Sequence, residues 1–118
     1  MILATVFVLA ASLAHGGEKD NSQAAADVYT AAAAAVRYAL ALPRPETSPA
    51  SVAVEELVAC AELTHYDATI VGHIVGELSA IPPGTDQKPV LESKLAQFEA
   101  KAKATGKKPA SFCTSVTA

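Results

Sequence analysis

Apolar residues recur three and four positions apart over three stretches, and proline-rich breaks separate them. The first stretch, Asn21 to Leu42, repeats Val28, Tyr29, Ala32, Val36 and Leu40. Asp20 or Asn21 is placed to cap its start, and Pro43 stops it. Ala31 to Ala35 are five consecutive alanines, which favour helix strongly and add little volume, so neighbours can approach closely. They lack the long Thr/Ala repeat that ice binding requires.

The second stretch runs from Ser48 to Ile81, with Ser48 as N-cap and Pro49 at the first helical position. Its apolar stripe reads Val54, Leu57, Val58, Ala61, Ala68, Val71, Val75, Leu78. An unbroken helix of that length would span ~50 Å, against a radius of gyration of ~13 Å for a domain of this size. A break is therefore expected at Thr64-His65-Tyr66-Asp67, with Asp67 capping a new helix from Ala68 to Ile81. Gly72 and Gly76 read as space-saving positions for close packing. Pro82-Pro83-Gly84 ends this stretch.

The third stretch, from Thr85 or Asp86 to Thr105, is amphipathic, with Leu91, Leu95, Phe98 and Ala102 on one face. Asp86 is the expected cap, and Pro89 sits in the first turn, where its missing N–H costs nothing. Lys88/Glu92 and Glu99/Lys103 are opposite-charge pairs four apart, and Gly106 suits the helix end. The pattern predicts an all-α fold: a small antiparallel bundle of four helices, or of three with one long central helix.

Residues Met1 to Ala14 carry no charged side chain. That run is shorter than the ~20 apolar residues of a membrane span. It has the length of an export signal's apolar core, and Ser12-Leu13-Ala14 and Ala14-His15-Gly16 both fit the small-x-small cleavage rule. Residues 1–16 are thus read as a signal peptide without Lys or Arg near Met1, and 17–118 as one secreted, extracellular domain.

An exported chain meets oxidising conditions, so Cys60 and Cys113 are expected to form a disulfide. The bridge would close a loop of 53 residues and stabilise the fold by ~4 kcal/mol. In an alternating bundle the end of the second helix and the tail after the fourth share a pole. The single Asn, Asn21 in Asn-Ser-Gln, offers no N-glycosylation acceptor.

The net charge of −3 hides an asymmetry. Gly17 to Gln87 holds three basic and ten acidic residues, whereas Lys88 to Ala118 holds six lysines and two glutamates. The simpler reading is that the basic segment neutralises the acidic remainder of its own chain. The sharper one is that Lys101, Lys103, Lys107 and Lys108 form a partner-contact surface. An acidic chain with few aromatics and no Arg cluster does not fit nucleic-acid binding.

Catalytic and metal signals are sparse. His65, Tyr66, Asp67 and Glu62 cluster on a helical turn, but one His without a strongly spaced second ligand reads as a polar junction. His73 and Glu77 share a helix face; His65 lies about 80° round from His73, which converges poorly on one ion. His15 would offer a copper-binding amine and imidazole only if cleavage falls after Ala14. Neither a nucleophile elbow nor a phosphate-cradling loop occurs. The expected protein is therefore not an enzyme and carries no cofactor or metal. It is a secreted binding module acting on another macromolecule, most simply a protein, as an inhibitor or effector. The alternative is a carrier of a small apolar ligand in the bundle core.

Overall fold

The computed structural model describes residues 2–42, 48–83 and 86–110, with side chains from residue 21 onward. It is all-helical: α1 (Ile2–Ala41), α2 (Pro49–Thr64), α3 (Ala68–Ser79) and α4 (Lys88–Ala104), with no strand among the described residues. The second stretch is broken, so the four-helix arrangement holds and the long central helix does not.

The break falls where the polar patch predicts it. His65 adopts a left-handed conformation (φ 56°, ψ 47°) and ends α2, with the Tyr66 N–H donating to the Ala61 carbonyl. Asp67 then caps α3, its carboxylate accepting from the Ile70 N–H at 3.0 Å. Gly106 ends the last helix at φ 70°, as expected, and its N–H donates to the Lys103 carbonyl.

Three expectations require correction. First, α1 does not start at Asp20 or Asn21 but runs through them from Ile2. Cap residues favour a terminus without enforcing one, and the Ala/Leu-rich run ahead of them propagates helix well. Second, the buried stripe of α2 and α3 is Ala50, Ala53, Leu57, Cys60, then Ile74 and Leu78. Val54, Ala61, Val71 and Val75 sit at the margins, while Val58 and Ala68 are exposed. Where nearly every position is apolar, size does not mark the inward face. Ala50 and Ala53 are buried in the same core as the alanines of α1, and the valines lie at the flanks. Third, Gly72 and Gly76 are exposed, and a Cβ built on either meets nothing within 4 Å, so neither serves close packing.

The helices alternate in direction. The end of α1 (Ala39, Leu42), the starts of α2 and α4 (Pro49, Gln87) and the end of α3 (Leu78, Ile81) gather at one pole. Helix α1 is the centre, packed most extensively on α4 and α2, with α3 resting mainly on α2. Phe98, Leu57, Ile74, Leu78 and Leu91 are fully buried around Val28, Val36 and the alanines of α1. The expected inner face of α4 holds, with Leu91 and Phe98 buried and Leu95 packed beside them. The Tyr29 and Phe98 rings lie 5.9 Å apart.

Candidate functional site

The end of α4 carries the four lysines of the expected contact surface. Lys101, Lys103, Lys107 and Lys108 are all exposed. Lys101 lies over the Tyr29 ring, its Nζ 5.4 Å from the centroid. Lys103 is two residues on, about 160° round α4, so these two do not share a face.

The segment after Gly106 is held rather than trailing. The Lys108 carbonyl accepts from Gln23 Nε2 at 2.8 Å, and the Ala110 N–H donates to Asp27 Oδ1 at 2.7 Å. Gln23 Nε2 also donates to Asp27 Oδ1, joining the two anchors on α1. Thr105 Oγ1 accepts from the Lys107 N–H at 3.1 Å. Lys107 and Lys108 are thereby presented on a fixed backbone.

Few opposite charges pair directly among the described residues. Among the described residues Lys94 is the single ion-paired lysine, its Nζ 2.9 Å from Glu77 Oε1. Glu77 also meets His73 Nε2 at 3.0 Å through its other oxygen, so the i,i+4 contact forms. The Lys94 hydrogen bond holds the Glu77 carboxyl below its usual range; burial opposes this, and the charges of Lys94, His73 and Lys101 assist it. Glu99 is paired with Arg37 of α1 at 3.5 Å rather than with Lys103.

Gln87, which no sequence pattern marked, is the buried polar group of the opposite pole. Its Oε1 accepts from Ser48 Oγ at 2.6 Å and from the Ala50 N–H at 3.0 Å, and its Nε2 donates to the Pro82 carbonyl at 3.2 Å. Ser48 is the N-cap residue of α2 by position but makes no side-chain cap bond; Gln87 satisfies the helix start from another element. Asp86 lies one residue too early to cap α4 and instead accepts from the Lys88 N–H at 3.2 Å.

Two clefts flank this pole. One, of about 380 Å³, is lined by Ser48, Ser51, Val54, Glu55 and Leu78 among others. The other, of about 300 Å³, lies between Leu40, Leu42, Pro49 and Lys88. Both open at the surface, and the first reaches the core residues Ala50, Leu78 and Ile81. His65 is exposed at the end of α2, and no group of three His, Cys, Asp or Glu among the described residues is placed to hold a metal. The His15 side chain lies outside the described residues. Cys60 is fully buried against Ala34, Tyr38 and Tyr66; its expected partner Cys113 lies outside the described residues. Among the described residues no helix is long and apolar enough to cross a membrane. Comparison with protein families, with curated proteins and with solved structures finds no match to the chain.

Proposed function

We propose that this chain is a secreted, non-catalytic binding protein that engages another protein through the lysine-bearing end of α4. The observation that carries this is the set of exposed lysines without acidic partners, two of them on a backbone bonded to α1. Ordering those lysines in advance lowers the entropy lost on binding. An acidic protein surface is the complementary partner, in the manner of an inhibitor or effector that blocks by occupying it.

Export and a Cys60–Cys113 bridge belong to the same reading. Cys60 is fully buried, and no described cysteine is a free thiol. Ala110 is bonded to Asp27 on α1, while Cys60 packs against Ala34 one to two turns further along that helix. The bridge would hold the lysine-bearing segment in place.

Affinity capture on immobilised protein from the secretion that contains it tests the reading. The expected result is a partner that elutes as salt is raised and escapes a Lys101→Glu/Lys103→Glu/Lys107→Glu/Lys108→Glu variant. Undiminished capture by that variant excludes the surface. A stoichiometric lipid in an organic extract of the native protein would instead favour the carrier.

A further inference from the structure

The acidic and basic parts of the sequence stay apart when the chain folds. From Pro45 to Gln87 there are seven carboxylates and no lysine or arginine, and this stretch builds α2 and α3. The six lysines from Lys88 onward belong to α4 and the segment after it. Both α2 and α4 pack on α1 and make no comparable contact with each other. Lys94 to Glu77 is the one ion pair joining the two sets among the described residues.

The outer side of α2 adds apolar surface to that charge. Glu55, Val58 and Glu62 are exposed at spacings of three and four, so they share a face. Leu63 follows, 67% exposed, and Val58 is 37% exposed; these are two of the three large apolar side chains exposed among the described residues. Neither Glu55 nor Glu62 is in an ion pair.

We propose that this face of α2 docks a second copy of the chain, through that copy's Lys103, Lys107 and Lys108. The inference rests on the lysine-bearing end of α4 being a binding surface and names its partner. Charge complementarity selects the occupant: Glu55, Glu56 and Glu62 lie on α2, and none of them is in an ion pair among the described residues. Lysine stems cover apolar groups while their heads meet carboxylates, which suits Val58 and Leu63 beside Glu62. The two surfaces differ, so the contact is heterologous and builds head to tail.

Sedimentation velocity on the full secreted chain tests this, from about 10 μM to about 1 mM protein, at about 20 mM and about 0.5 M NaCl. The average mass is expected to rise with concentration at low salt and to fall to the monomer at high salt. Glu55→Lys/Glu62→Lys and Lys103→Glu/Lys107→Glu should each weaken self-association about tenfold or more. An equimolar mixture of the two variants should associate again, because each reversed face then meets its complement. A monomer at every concentration in low salt overturns the proposal, as does association that both variants retain. A monomer that still captures another protein through its lysines overturns self-docking alone and leaves the binding function standing.

Discussion

Gln87 and Glu77 each join separate elements through one side chain. Gln87 bonds the start of α2 and the Pro82 carbonyl while it begins α4. Gln87→Ala leaves the Ala50 N–H without that partner in a buried setting and should destabilise the fold by about 1–3 kcal/mol, read as a lower denaturation midpoint. Glu77 ties α3 to α4 through Lys94. Because its carboxyl titrates below the unfolded value, its contribution is present above that value and is lost as pH falls through the folded one. Glu77→Gln should therefore lower thermal stability near neutrality, and the gap from the parent protein should close in acid. A gap that persists below the carboxylate range would show that the ion pair is not its source. None of this was legible in the sequence beyond the His73–Glu77 spacing. Gln87 bonds a residue 39 positions away, and no periodicity encodes such a contact.

At the scale of the element, the break between α2 and α3 and the end of α4 were legible in the sequence, whereas the starts of α1 and α4 and the inward faces were not. Asp67 and Gly106 act where their chemistry predicts, because caps are local. The inward faces of α2 and α3 were not legible because most of their residues are apolar, so the pattern does not separate the buried Ala50, Ala53 and Ile74 from the half-buried Val54, Val71 and Val75. The clearest consequence is at Gly72 and Gly76. Both are mid-helix, exposed and free of anything an added methyl would strike. Gly72→Ala and Gly76→Ala should each stabilise the protein by about 0.5–1 kcal/mol, seen as a rise in melting temperature. A loss of stability would mean that this face of α3 is covered.

Across the whole molecule, the alternation of four helices around α1 followed from helix lengths and short connections. The fate of the charges did not, because opposite charges separated in sequence can meet or stay apart on folding. Here α2 and α4 each pack mainly on α1, and among the described residues Lys101, Lys103, Lys107 and Lys108 are in no ion pair. Amine acylation of the native protein, followed residue by residue with mass spectrometry, measures this directly. Lys94 should react slowly, and Lys101, Lys103, Lys107 and Lys108 at the rate of solvated amines, becoming protected when a captured partner is bound. Four slow lysines in the monomer, or four that stay fast in the complex, would contradict the account.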